Sequence, residues 1–216
     1  MKERALLAEF LGTLVLVMCS MGTGIMGMRL APDLPGLTLL ACSITTGLIL
    51  WLLITLFGPV SGAHMNPAVT LYFALRRDIA LRTALGYVPA QLAGALAAVL
   101  LTHAMFALPL IQTAATVRSG GALVLSEAVA TLGLILTIAG GQREAPALVP
   151  ALVGAWITTA FWFTGSASFA NPAVTFARMF SDTFTGIRPA DAPLYMLAEL
   201  AAALVGAWTA GKLFPR

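Results

Sequence analysis

Six long apolar runs limit the fold of this chain more than any other feature. They lie at about 5–28, 37–57, 83–107, 121–140, 147–165 and 192–214. Each has roughly the ~20 residues that an α-helix needs to cross the ~30 Å hydrocarbon core of a bilayer. Only 10% of the residues are charged, against about 25% in soluble domains. Because lipid accepts only structures that satisfy their own backbone, the runs predict an all-α membrane protein with six transmembrane helices.

The distribution of basic residues predicts the orientation. With six spans, both termini and the loops after spans 2 and 4 share one side, which holds eight of the 12 lysines and arginines. The excess of basic residues marks the cytoplasmic side. We therefore expect an inner-membrane protein with both termini in the cytoplasm. The net charge of +3 reflects this bias and gives no support for nucleic-acid binding.

The two halves of the chain repeat each other. Asn66-Pro-Ala-Val-Thr70 after span 2 recurs as Asn171-Pro-Ala-Val-Thr175 after span 5, and these are the only asparagines. Glu9 of span 1 matches Glu127 of span 4. Three spans per repeat is an odd number, so the repeats have opposite topology, and sites in such folds lie near the bilayer midplane. We predict one channel domain, 1–216, made of inverted repeats at about 1–107 and 121–216.

Each Asn-Pro-Ala motif has the form of a helix start. Asparagine is a good N-cap, and proline suits the first helical position because its missing N–H would have no partner there. The motifs predict short helices at about 67–76 and 172–180. Ten residues cover about 15 Å, half a bilayer, so two re-entrant half-helices from opposite sides would meet at the midplane. The six motif residues proposed to line the pore there are Asn66, Pro67, Ala68, Asn171, Pro172 and Ala173.

These features together resemble the aquaporin family, also called major intrinsic proteins. The resemblance is carried by the two Asn-Pro-Ala motifs, the run Ser61-Gly-Ala-His-Met-Asn66 and the Glu-x-x-Gly-Thr of span 1, and it covers essentially the whole chain. It implies a homotetramer in membrane lipid with one pore per subunit, passive flow of water or small neutral solutes, and exclusion of protons. It implies no cofactor and no metal. The sequence also has no metal-ligand cluster, nucleophile–base set or phosphate loop, so we expect no enzyme.

The family sets its selectivity with a ring of four residues found by counting from the two motifs. In this chain the count gives Thr46, Thr159, Ser168 and Val174. The arginine that usually follows the second motif directly is absent, as is every aromatic residue at these places. The resemblance therefore predicts a wide, uncharged ring lined by hydroxyls, suited to glycerol, urea or arsenous acid and open to water. Divergent bacterial members that lack this arginine are associated with arsenic handling.

Arg178 is a second place where a cation could replace the arginine that is absent after the second motif. It lies four residues after Val174, and so on the same helix face, nearer the outer mouth. Two interpretations stay open. The guanidinium could line the vestibule and favour anionic or strongly polar solutes, or it could pair with Asp182, a further four residues along.

Three other polar residues are expected to support the re-entrant loops. Glu9 and Glu127 lie inside apolar spans, where an acid can mark a proton relay. The resemblance instead implies that both accept hydrogen bonds from the loops. His64 is expected to brace its loop, with a gating role as the alternative.

Two other functions remain as alternatives to a channel for solutes wider than water. A water-selective channel is the runner-up, because a wide ring also passes water. A coupled secondary transporter uses inverted repeats and broken helices as well, but it needs an ion site or a titrating group at the midplane.

Overall fold

The computed structural model describes residues 2–215. In that part of the chain it has eight α-helices, one short 3-10 turn at Pro146–Leu148 and no strand. The helices are α1 (Lys2–Leu30), α2 (Pro35–Ser61), α3 (Pro67–Leu75), α4 (Leu81–Met105), α5 (Gly121–Glu144), α6 (Val149–Phe163), α7 (Pro172–Arg178) and α8 (Ala192–Leu213). Six of them, counting the turn with α6, are long and apolar enough to span a membrane.

The predicted fold class, with six spans and two half-helices, is confirmed. The helix ends differ from prediction by a few residues, most visibly in α2, which runs four residues past the predicted end at 57 to Ser61. It continues through Pro59 and stops at Gly62, whose φ of 87° lies in the left-handed region. Glycine adopts that conformation without steric cost, and it is a common way to end a helix.

Small residues let the long helices cross closely. A Cβ built on Gly154 of α6 would lie 2.5 Å from the carbonyl oxygen of Gly47 in α2, and one built on Gly94 of α4 would collide with the carbonyl of Phe10 in α1. In lipid, helix association depends on such close backbone approach. These crossings hold α1 against α4 and α2 against α6.

The two half-helices start from the asparagines as the motif predicts. The side-chain oxygen of Asn66 accepts from the N–H of Ala68 at 2.8 Å, and that of Asn171 accepts from the N–H of Ala173 at 2.9 Å. Each half-helix packs against both α4 and α8. The last long helix of each repeat therefore supports the short helix of the other repeat, and the two short helices meet at their N-terminal ends.

Candidate functional site

The asparagine pair joins the two repeats directly. The Asn66 amide nitrogen donates to the carbonyl oxygen of Ala170 at 2.7 Å, and the Asn171 amide nitrogen donates to that of Met65 at 2.8 Å. Each amide has two N–H groups, and only one of them has a partner among the described residues. Both asparagines line the central cavity. The second N–H of each is thus available to a molecule inside it.

Glu9 holds the first re-entrant loop. Its carboxylate is buried and accepts four hydrogen bonds. The donors are the Ser61 hydroxyl at 2.6 Å, the His64 N–H at 2.9 Å, the Met65 N–H at 2.6 Å and the Gln91 amide at 2.7 Å. Two successive backbone N–H groups therefore hold the loop to Glu9, and the next carbonyl, that of Met65, accepts from the Asn171 amide.

Glu127 does the same in the second repeat. Its two oxygens accept from the N–H groups of Phe169 at 3.0 Å and Ala170 at 2.7 Å. The neighbouring helix differs between repeats: Gln91 of α4 is replaced in α8 by Glu199, whose carboxylate accepts from the Thr175 hydroxyl at 2.8 Å. The two loop-holding carboxylates therefore lie where the sequence predicts, with an amide beside one and a second acid beside the other.

His64 is fixed by a chain of hydrogen bonds. The Gln91 amide donates to the Thr70 hydroxyl oxygen at 2.9 Å, and that hydroxyl lies 3.1 Å from His64 Nδ1. The Thr70 hydroxyl thus links the Gln91 amide to the imidazole ring. The ring stacks on Phe73 with centroids 4.5 Å apart and meets Tyr87 edge-on at 5.2 Å.

The second repeat has a stack at the same place, built from different residue types. Phe169 takes the loop position of His64, and its ring meets Tyr195 edge-on at 5.4 Å. Arg178 takes the place of Phe73: its guanidinium carbon lies 4.1 Å from the Phe169 ring centroid. A planar cation thus replaces a ring in the stack, a geometry in which guanidinium groups are favoured. Sequence reasoning missed Phe169, although its position two residues before Asn171 matches that of His64 before Asn66.

A central cavity of about 60 Å³ crosses the asparagine pair. A void needs about 10–15 Å³ by this measure to hold one water, so the cavity has room for roughly four to six. Seven leucine, isoleucine and valine side chains from α1, α2, α5 and α6 form an apolar part of its wall. The polar groups that face it are Ser20, Thr46, His64, Asn66, Ser168, Asn171 and Arg178.

The structure places Thr159, one of the four residues predicted for the ring, outside the cavity. This residue lies on the exposed face of α6, and its hydroxyl donates to the carbonyls of Ala155 and Trp156 in its own helix, at 3.1 and 2.9 Å. The cavity is lined instead by Ile157 and Phe161, which follow the helical spacing of four residues.

The other three predicted ring residues, Thr46, Ser168 and Val174, line the cavity. Two aromatic residues and a cation outside the predicted ring, Phe161, Phe169 and Arg178, line it with them. Arg178 does not pair with Asp182, whose carboxylate accepts from the N–H of Ala115 at 2.9 Å. Of the two interpretations of Arg178, the structure fits the guanidinium that faces the path.

The loop between α4 and α5 closes over the C-terminal end of α7. Its N–H groups at Gln112 and Ala114 donate to the carbonyls of Phe180 and Met179, each at 3.1 Å. Arg118 of this loop donates to the Gly186 carbonyl at 2.8 Å, and burial lowers the pKa of its guanidinium. These hydrogen bonds hold the loop in place against the residues that follow α7. We call this region the mouth.

Asp191 holds the end of the α4–α5 loop that precedes α5. It accepts from the Arg188 guanidinium at 3.0 Å and from the N–H of Arg118 at 2.9 Å. The hydrogen bond from Arg188, with that of the Arg118 N–H, lowers the pKa of the Asp191 carboxyl against a smaller opposing effect of burial.

Comparisons with known proteins agree with this architecture. A family model described as "Major intrinsic protein" matches residues 1–165. Aquaglyceroporin AqpS of Rhizobium meliloti (strain 1021) is 51% identical over 201 residues, covering 93% of this chain and 86% of that protein. Aquaporin TIP2-1 of Arabidopsis thaliana is 33% identical over 189 residues, covering 80% of this chain and 74% of that protein. Among solved structures, the aquaglyceroporin from Plasmodium falciparum superposes with a TM-score of 0.75 at 23% identity, covering 99% of this chain and 96% of that one.

Proposed function

The chain belongs to the major intrinsic protein family and is a multi-pass membrane channel for small neutral solutes rather than an enzyme. On that premise we propose that its solutes are polyhydroxylated: glycerol-like polyols and arsenous acid, with water passing as well. Passage is passive, along the cavity that crosses Asn66 and Asn171. The name of the Rhizobium relative supports a solute of the glycerol class.

The main support for this proposal is that the cavity is lined both by hydroxyls without partners and by apolar side chains. The hydroxyls of Thr46 and Ser168 are buried, line the cavity and have no hydrogen-bond partner among the described residues. A buried polar group without a partner costs about 1–3 kcal/mol, and a solute hydroxyl would relieve that cost. Val153 and Ile157 of α6 supply an apolar wall to the same cavity. A polyol has a polar edge and a carbon edge, so it fits a path of this kind.

Arsenous acid, As(OH)₃, presents a polyol-like set of hydroxyls, and the same donors and acceptors would serve it. We propose a selectivity ring of Thr46, Ser168 and Val174 with Phe161 in place of Thr159. The free amide N–H groups of Asn66 and Asn171 would each bind a water oxygen at the middle of the path. The hydrogens of that water then point outward, which interrupts a proton wire.

The assembly and orientation belong to the same proposal. The chain forms a homotetramer with one path per subunit in the bacterial inner membrane, and both termini lie in the cytoplasm. The excess of lysine and arginine on the side of the termini supports this orientation.

Proteoliposome swelling tests the proposal. The parent should pass glycerol, arsenous acid and water faster than empty vesicles, without accumulating any of them against a gradient. A double variant, Thr46→Val with Ser168→Ala, should slow glycerol more than water. Thr159→Val is the matched control, because it removes a hydroxyl that faces away from the cavity. Solute fluxes no greater than those of empty vesicles, or gradient-driven accumulation, would overturn the proposal.

A water-selective channel is the second candidate, and the aromatic and cationic lining favours it. Phe161, Phe169 and Arg178 narrow a cavity of only about 60 Å³. The same assay separates the two functions: a water-selective channel would give fast water flux while glycerol and arsenous acid stay at the level of empty vesicles.

A further inference from the structure

Arg178 is a buried cation without a counter-ion. Its side chain is 4% exposed and lines the central cavity. Its Nε has no hydrogen-bond partner, and no carboxylate in residues 2–215 forms an ion pair with it. Arginine keeps its charge at any pH of interest. A buried charge is normally paired or hydrogen-bonded, because leaving water is costly for an ion.

A second arginine adds to the positive charge at this point. Arg118 lies 5.1 Å from the centroid of the Phe169 ring, the same ring that Arg178 contacts at 4.1 Å. The side chain of Arg118 donates only to the neutral carbonyls of Gly186 and Phe184. Two guanidinium groups therefore share one aromatic ring, and neither has an acid as its side-chain partner in the described structure.

None of the nearby acids among the described residues forms an ion pair with Arg178. Glu127 accepts from loop N–H groups, and Glu199 accepts from the Thr175 hydroxyl. Asp182 accepts from the Ala115 N–H, and Asp191 forms its ion pair with Arg188. Glu127 and Glu199 therefore act on Arg178 only at a distance, and neither forms a hydrogen bond or an ion pair with its guanidinium.

Two further polar groups without a partner among the described residues line the same cavity as Arg178. Thr46 and Ser168 are 6% and 3% exposed, and both hydroxyls line the same cavity without a partner. Two hydroxyls and a planar guanidinium are a donor set that suits an oxyanion. Guanidinium in particular binds two oxygens of a carboxylate-like group at once.

We propose that this end of the cavity binds a small monovalent oxyanion of the carboxylate type, held by Arg178, Ser168 and Thr46. The bound anion occupies the path and slows the passage of neutral solutes. The proposal rests on the proposed channel function where solute flux is the readout. It extends that function from neutral solutes to a charged ligand of the same site.

Formate is a suitable probe. Proteoliposomes at pH 7.5 receive equal formate inside and outside, so that only the added glycerol gradient drives volume change. A site with a Kd of about 1 mM would be about nine-tenths occupied at 10 mM formate, so glycerol flux should fall roughly tenfold. Equal chloride should leave the flux unchanged, because it offers no pair of oxygens to the guanidinium.

Two arginine variants locate the site. In Arg178→Gln, the ratio of flux with and without formate should return to about one. Arg188→Gln is the matched control: it removes an arginine from the same mouth that already pairs with Asp191, and formate should slow it as it slows the parent. The inference is overturned if formate leaves the parent unaffected while glycerol flux is intact, or if Arg178→Gln responds like the parent.

A binding measurement separates failure of the site from failure of the channel. In detergent, 10 mM formate should raise the Tm of the parent by about 3–6 °C through binding to the folded state, and should leave the Tm of Arg178→Gln unchanged. A parent that conducts no glycerol yet shows this shift would overturn the proposed function and retain the anion site. Equal shifts in both proteins would overturn the anion site.

Discussion

Removing the Glu9 carboxylate should destabilise the first re-entrant loop by a calculable amount. Glu9→Leu leaves the buried N–H groups of His64 and Met65 without acceptors. Each orphaned donor costs about 1–3 kcal/mol, so the variant should lose roughly 2–6 kcal/mol. The Ser61 hydroxyl can turn to another acceptor and is left out of this sum. For a chain of this length the loss corresponds to a fall in Tm on the order of 10 °C.

Thermal unfolding of the solubilised protein measures this loss, with solute flux as the functional readout. Glu9→Gln should fall between parent and Glu9→Leu, because an amide keeps one acceptor oxygen but adds an N–H group facing the loop donors. Glu3→Leu, an exposed acid on the same helix, is the control and should melt with the parent. If Glu9→Leu melts within about 2 °C of that control, the loop is not held by this carboxylate.

Three further predictions concern the throat, the helix packing and the mouth. Val174→Arg should reduce glycerol flux more than water flux in the swelling assay, because it adds bulk and charge to the ring. Gly94→Leu should give little folded protein by size-exclusion chromatography, because its Cβ would collide with the carbonyl of Phe10. Asp191→Asn should flatten the loss of Tm on acidification. The lowered pKa means that Asp191 stabilises the fold above its unfolded value of about 3.9 and loses that effect as pH falls through the folded value.

Each of these has its own contradicting result. Equal loss of glycerol and water flux in Val174→Arg would mean that Val174 does not select between them. Gly36→Leu is the control for Gly94→Leu, since a Cβ there meets nothing within 4 Å; similar yields from both would refute the close crossing. An Asp191→Asn variant as acid-sensitive as the parent between pH 5 and pH 3 would show that this ion pair does not stabilise the mouth.

The fold could be predicted from sequence because its constraints are local or periodic. Apolar length sets the spans, and Asn-Pro at Asn66 and Asn171 sets both half-helix starts within the chain itself. The repeat pairs the acids Glu9 and Glu127 with each other, and the family resemblance implies that both hold the loops. These features need no knowledge of how distant side chains meet.

The lining of the cavity could not be predicted in the same way. It depends on how each helix is rotated about its axis and on where long side chains extend. Thr159 was placed by counting, but two residues shift a helix face by about 200°, and Phe161 faces the cavity instead. Arg178 lies seven residues past Asn171, yet stacking on Phe169 brings its guanidinium to the cavity wall. In the sequence, the stack is indicated only by the repeat, which matches His64 with Phe169 and Phe73 with Arg178.

Thiol accessibility tests most directly whether the cavity across the asparagine pair is the solute path. In a background carrying Cys19→Ala and Cys42→Ala, a small thiol reagent should block glycerol flux in Val174→Cys, whose side chain lines the cavity. It should leave Thr159→Cys unaffected, because that side chain lies on the exposed face of α6. Block of Thr159→Cys with continued flux in a fully labelled Val174→Cys would contradict the account.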